Sequence, residues 1–199
     1  MADHSPSERV KKMSEHPLSE RQLYFLQMGQ VLIEGLVDLD MADYVHECIL
    51  QLKMKSCPDV VAHVRSEGGS LACGLQIYDE FVHYPGTATC IVNGFAHSAG
   101  ALIVQGFQKR LSLPHSSFLI HHNKKNDATT LEDWTDERKY KTHVARLRMG
   151  RERAIAIWMK RTGKDRQKVV AQCNLDEAML ATEAKKFGLI DAIIEPPSA

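Results

Sequence analysis

Short β-branched runs, each closed by a glycine-rich or polar turn and followed by a helical pattern, recur along this chain. That alternation restricts its fold more than any other feature. Val60-Val61-Ala62-His63-Val64 reads as a buried strand closed by Ser66-Glu67-Gly68-Gly69, and Leu75, Tyr78 and Val82 mark a helix over Leu71–Tyr84. Ala88-Thr89-Cys90-Ile91-Val92 is a second strand, closed by Asn93-Gly94 and followed by a helix over Ala99–Phe107. Phe118-Leu119-Ile120 is a third, ending at His121. Strands with a helix between them need crossover connections, which are right-handed and produce a mostly parallel sheet. A longer helical pattern then runs from about Leu131 to Arg161, with Val144, Leu147, Ala154, Ile155 and Trp158 as its apolar stripe and Gly163 as its stop. A helix much longer than the usual three to four turns is expected to project and to pack against another chain. The pattern closes with a segment Lys164–Gln172, a helix Thr182–Phe187 stopped by Gly188, and a strand Leu189–Ile194.

The 199 residues suit one domain. Residues 1–20 carry Pro6, Pro17 and several serines with little periodicity and are expected to form a mobile arm. Residues 21–194 are the globular part, and 195–199 a loop-like tail. Lys plus Arg (25) equals Asp plus Glu (25), which argues against a nucleic-acid protein that binds by neutralising phosphates. No apolar run reaches the roughly 18 residues of a membrane span. The five cysteines are odd in number and widely spaced, without zinc-finger spacing, and read as reduced thiols. The first residues resemble neither a signal nor a transit peptide, so a cytoplasmic location is expected.

Ligands of parallel sheets bind at the carboxyl ends of strands. Here those ends are Ser66-Glu67-Gly68-Gly69, Ala96-His97-Ser98-Ala99-Gly100 and His121-His122-Asn123. Ser98 follows a strand and opens a helix, where free N–H groups favour a developing anion; it reads either as a nucleophile or as a plain N-cap. The string is close to a nucleophile elbow, with Ala96 where that motif has its first glycine. Gly68-Gly69 can expose backbone N–H groups as an anion nest, but no G-K-[S/T] follows, which excludes a phosphate loop. His121 ends an apolar strand and is a candidate general base. His122 must face the other way, and His97, adjacent to Ser98, is a poor base. Asp176 and Asp191 are both candidates to orient the imidazole, Asp176 being the better placed because it lies in a loop. The order Ser–His–Asp also excludes the α/β-hydrolase fold.

These segments, in this order, resemble one family, that of the proteolytic subunit of the Clp protease. The family's S-P-G-G turn resembles Ser66-Glu67-Gly68-Gly69, and its G-x-A-x-S-M-G segment resembles Gly94-Phe95-Ala96-His97-Ser98-Ala99-Gly100. Its L-P-N-S-x-x-M-I-H-Q-P segment is similar to the stretch from Leu113 to Asn123, and its R-D-x-F-M-S-A-x-E-A-x-x-Y-G-L-I-D segment to the stretch from Leu175 to Asp191. Arg21–Leu26 followed by Gly29-Gln30 is similar to the family's opening strand. The resemblance spans about residues 21–194. It implies an α/β fold with a ββα spiral core, like the Clp and crotonase folds, and a projecting long-helix handle.

The resemblance further implies Ser98 as nucleophile, His121 as base, Asp176 as orienter, and an oxyanion hole from the N–H groups of Gly69 and Ala99. The implied activity is a serine endopeptidase acting on peptides or unfolded proteins inside a homo-oligomeric ring. No cofactor is implied, and ATP enters only through a partner AAA+ unfoldase. Four departures stand out. Glu67 replaces the motif's proline and puts a carboxylate near the oxyanion glycines. Ala99 replaces a methionine, and Asn123 a proline. A polar stretch, Asn123–Thr130 with Lys124, Lys125 and Asp127, replaces a glycine-rich strand that serves peptide binding and ring–ring contact. Glu177 stands where the family has an arginine that pairs across that contact, while Arg138, Lys139 and Lys141 offer compensating charge. A side-by-side ring with a salt-sensitive ring–ring contact is therefore expected. Two other classes fit the same fold: a crotonase-like acyl-CoA enzyme, and a non-catalytic ring subunit.

Overall fold

The computed structural model describes residues 18–122 and 135–196. The expected arm up to residue 17, the polar stretch 123–130, the start of the long helix at 131–134 and the last three residues lie outside them. The described elements are α1 (Glu20–Gln27), β1 (Gln30–Val37), α2 (Leu39–Met54), β2 (Val60–Gly69), α3 (Leu71–Val82), β3 (Ala88–His97), α4 (Ala99–Val104), β4 (Lys109–Ser112), β5 (Ser117–Leu119), α5 (Glu137–Thr162), α6 (Arg166–Leu175), β6 (Met179–Leu180), α7 (Ala181–Phe187) and β7 (Ala192–Ile193).

The main sheet runs β1-β2-β3-β4-β7, all parallel, as the strand–helix alternation predicts. β3 does two jobs. Its first half, Thr89–Val92, pairs with β4, and its second half, Phe95–His97, pairs with β5. Between the halves the register against β2 jumps from Val64↔Val92 to Ser66↔Ala96, so β3 spends two extra residues, Asn93 and Gly94, where β2 spends none. Such an insertion bends the strand and increases local twist. It turns the tops of β2 and β3 into a small second layer with β5, onto which β6 adds antiparallel. Ser116 holds this bend: its hydroxyl donates to the Val92 carbonyl (3.0 Å) and accepts from Gly94 N–H (3.2 Å).

Helices cover the sheet through apolar faces. In α2, Met41, Ala42, Val45, Cys48, Ile49 and Leu52 are buried at three- and four-residue spacing, and Asp38 caps its start by accepting from Met41 N–H (3.0 Å). Phe81 and Phe107 stack at 4.0 Å between ring centroids, locking α3 to the turn after α4. The handle α5 has 26 residues, about 39 Å at 1.5 Å per residue. Of its apolar stripe, Ala154, Ile155 and Trp158 are buried, while Val144 and Leu147 are only half-buried. The handle thus docks by its C-terminal turns and projects with the rest.

Several expectations change. The segment Arg21–Leu26 is helix, not an opening strand: Ser19 and Gln22 form a reciprocal capping box and Leu26 is buried. Leu18 packs against the core, so residues 18–20 belong to the domain rather than to an arm. Gly68 and Gly69 extend β2 in register with Leu36 and Val37 instead of forming a tight turn. Asp191 precedes β7 rather than lying within a strand.

Candidate active site

The bent upper layer gathers the ends of β2, β3 and β5. Ser98 joins β3 to α4 with φ 53° and ψ −118°, a sparsely populated conformation for a residue with a side chain. It costs on the order of 1–3 kcal/mol and persists only where the surroundings impose it. The hydroxyl makes no capping hydrogen bond, which removes the plain N-cap reading. Its N–H donates to the Leu119 carbonyl (2.8 Å), and His97 is in register with Leu119. Ser98 therefore leaves the sheet beside the end of β5 at Leu119, two residues before His121.

His121 is largely enclosed, with its side chain 11% exposed, and its Nδ1 lies 3.6 Å from Asp176 Oδ1. Asp176 occupies the C-cap of α6 in a left-handed conformation (φ 51°, ψ 35°) that a short polar residue tolerates. His122 has a different partner, its Nε2 lying 2.9 Å from Asn174 Oδ1. The C-terminal end of α6 thus meets both imidazoles, which follow β5 and lie outside its ladder.

Asp191 is excluded as the orienting carboxylate because it is taken elsewhere. Its Oδ1 meets Arg110 Nη2 at 2.5 Å, and its Oδ2 accepts from Arg110 backbone N–H at 2.7 Å. Burial pushes the Asp191 carboxyl up, but the hydrogen bonds from Arg110 outweigh it and hold the group below its ordinary value. Arg110 also donates to Gln105 Oε1 (2.7 Å) and the Gly188 carbonyl (2.9 Å), tying β4 to α4 and α7.

The glycine pair fits tightly against Ser98. A Cβ placed on Gly68 would stand 2.7 Å from Ser98 Cβ and 3.0 Å from the Ala99 nitrogen, so only glycine lets β2 approach this closely. Gly68 and Gly69 have φ of 96° and 148°. Buried Ser66 fixes this end of β2: its hydroxyl donates to the Gly35 carbonyl (2.6 Å) and accepts from Gly68 N–H (3.0 Å). With that amide engaged, Gly69 is the glycine of the pair whose N–H is not held by Ser66. Ala99 N–H, in the first turn of α4, has no carbonyl four residues back within the helix.

Glu67 does not point its carboxylate at this glycine pair. Its Oε2 lies 2.6 Å from His97 Nδ1, and His97 Nε2 lies 2.9 Å from Ser117 Oγ. Sequence reasoning set His97 aside because it adjoins Ser98. Its partners become visible only once β2, β3 and β5 are aligned. Among the described residues no cluster of metal-ligating side chains occurs, and no helix is long and apolar enough to cross a membrane. Burial raises the thiols of Cys48 and Cys90 to about 12 and that of Cys173 to about 11, as inert structural cysteines require.

Comparison with known proteins supplies the context. Residues 15–197 match the family described as Clp protease. The chain is 28% identical over 177 residues to the ATP-dependent Clp protease proteolytic subunit 1 of Streptomyces coelicolor, covering 87% of this chain and 78% of that protein. It has the same identity and coverage against the ATP-dependent Clp protease proteolytic subunit 3 of Streptomyces avermitilis. A ClpP1 variant from Listeria monocytogenes superposes with a TM-score of 0.78 over 89% of this chain and 97% of that one; at 23% identity, this likeness speaks to the fold.

Proposed function

This chain belongs to the Clp protease family, and from that premise we propose that it is a serine endopeptidase working by acyl-enzyme chemistry. Ser98 Oγ attacks the peptide carbonyl carbon, and His121 takes its proton. The Gly69 and Ala99 N–H groups receive the oxyanion, and His121 returns the proton to the leaving amine. Asp176 orients the imidazole and stabilises its cation. The observation that carries this reading is the strained, uncapped Ser98, tied by its N–H to Leu119 at the end of β5, two residues before His121, whose Nδ1 lies 3.6 Å from Asp176 Oδ1. The 3.6 Å separation of that last pair is longer than a hydrogen bond, and catalytic hydrogen bonds commonly tighten only when substrate is bound.

The crotonase-like alternative has no use for the His121–Asp176 pair. The non-catalytic alternative rests on Glu67 and the altered handle together spoiling the site; the Glu67 carboxylate is turned onto His97, and the altered stretch 123–130 lies outside the described residues. A fluorophosphonate probe tests the proposal directly. Mass spectrometry is expected to find the label on Ser98, and Ser98→Ala is expected to lose labelling and to lower peptide hydrolysis by roughly 10⁴-fold or more. Full hydrolysis by Ser98→Ala refutes the mechanism.

The same family membership supports assembly into rings that enclose these sites, fed by an ATP-driven unfoldase that supplies the ATP chemistry. The projecting turns of α5 offer surface for contact with a second ring, and Glu177 in place of an arginine weakens an ion pair there. Light scattering is expected to show a ring whose pairing with a second ring loosens as salt rises. A monomer at every concentration rules the ring out.

A further inference from the structure

The backbone ladder between β2 and β3 stops at Ser66↔Ala96. The next residues on the two strands, Glu67 and His97, lie opposite each other and continue the tie through their side chains, at 2.6 Å. His97 then reaches diagonally across to Ser117 on β5, at 2.9 Å, the reach expected for long side chains across a sheet. The row thus spans the strands that end in the glycine pair and lead into the proposed nucleophile and general base. Glu67 immediately precedes Gly68, His97 immediately precedes Ser98, and Ser117 lies four residues before His121.

The chemistry of the row is directional. A carboxylate only accepts, so His97 Nδ1 carries the proton toward Glu67, and the Ser117 hydroxyl, which can both donate and accept, completes the pairing at Nε2. Glu67 is 69% exposed in its side chain while His97 is only 16% exposed, so the imidazole is the fixed member and the carboxylate folds onto it. Without that contact, a mobile carboxylate would stand next to the amides proposed to receive the oxyanion and would raise the energy of the charge developing there. A proline at position 67, as in the motif this segment resembles, would fix φ and carry no charge. Glutamate does neither unless it is held.

We infer that Glu67, His97 and Ser117 form a positioning row that fixes the Gly68-Gly69 end of β2 against Ser98 and keeps the Glu67 charge away from the reacting carbonyl. The inference rests on the reading of Ser98 as nucleophile. His97 acts through its neighbours and takes no proton from substrate. Nor is the row a second triad, although it has the order acid, imidazole, hydroxyl. Ser117 lies within a strand paired to Phe95 on one side and Leu180 on the other, so the amides around it belong to ladders and not to an oxyanion site.

The test is a rescue. In the assembled full-length protein, His97→Ala is expected to lower kcat for peptide hydrolysis at least about tenfold with KM changed less than about threefold, because transition-state stabilisation is lost and not binding. Glu67→Gln in the His97→Ala background removes the charge and is expected to recover part of kcat. Glu67→Pro in the same background also fixes the backbone and is expected to recover most of it. If His97→Ala does not fold, His97→Leu, which keeps apolar bulk but has no hydrogen-bonding group for Glu67 or Ser117, is read against the same Glu67 changes. Unchanged kcat in the His97 variants, or no recovery on replacing Glu67, overturns the row. Fluorophosphonate labelling of Ser117 in Ser98→Ala also overturns it, in favour of a second nucleophile. Absence of label on Ser98 in the unaltered protein refutes the proposed mechanism and the row with it, whereas label on Ser98 with a silent His97→Ala refutes the row alone.

Discussion

Asp176 and Asp191 are both acidic residues of the last third of the chain, and both face a basic side chain, yet they sit in opposite physical situations. Asp191 is gripped by Arg110 through two carboxylate–guanidinium contacts and a backbone N–H, and the arginine is buried. Asp176 lies on an exposed left-handed C-cap, 3.6 Å from an imidazole. Buried arginine needs its donors satisfied, so the first contact is over-determined and belongs to folding. The second joins two side chains that follow β5 and α6, where the proposed mechanism places the imidazole and its orienting carboxylate. The contrast assigns one carboxylate to the scaffold and proposes the other for the chemistry.

The largest effect expected from breaking this contrast falls on activity. Asp176→Asn is expected to lower kcat by about 10⁴-fold, roughly 5.5 kcal/mol of transition-state stabilisation, by favouring the wrong imidazole tautomer. Its melting temperature should stay within about 2 °C, since exposed substitutions usually stay within about 0.5 kcal/mol. Asp191→Asn is expected to do the reverse: hydrolysis retained, melting temperature lowered. Peptide turnover and calorimetry on the two variants decide it, and exchanged phenotypes would mean the roles assigned to the aspartates are wrong.

The two regions also differ in how legible they were. Ser98 and His121 stand out in the sequence because each is a polar residue following an apolar strand pattern, whereas Asp176, read as a loop residue, is separated from Asp191 in the sequence only by that placement and by the family resemblance. Arg110 gave no such sign, since Lys109–Ser112 carries charge where a core strand is expected to be apolar, and its burial follows from partners far along the chain. The run Val60–Val64 was legible as a strand, but its continuation to Gly69 depends on pairing with β1, which overrides the glycines' preference for turns. The error at Arg21–Leu26 was avoidable: Ser19-x-x-Gln22 is a capping-box signature. The two-residue strands β6 and β7 are too short to show any period. Glu67 was seen as a hazard because its partner, distant in sequence, could be paired with it only through strand register.

The smallest expected effects sharpen the comparison on the scaffold side. Arg110→Met keeps the apolar stem and the backbone N–H that bonds Asp191, but removes the guanidinium donors to Asp191, Gln105 and the Gly188 carbonyl. Breaking a fully buried pair costs about 3–5 kcal/mol. The Asp191 side chain is 43% exposed, so water recovers part of that, and a loss of about 2–3 kcal/mol is expected, or roughly 5–10 °C in melting temperature for a chain of this size. The same contact sets an acid limb. The Asp191 carboxyl is lowered from its ordinary 3.8 in the folded state, so its stabilisation is present above that value and lost as pH falls through the lower folded value. The stability gap between the unaltered protein and Arg110→Met should therefore narrow as pH drops below about 4. A gap that holds constant into acid would mean that Arg110 works through Gln105 and the Gly188 carbonyl, with Asp191 a bystander, and the contrast between the two aspartates would then rest on Asp176 alone.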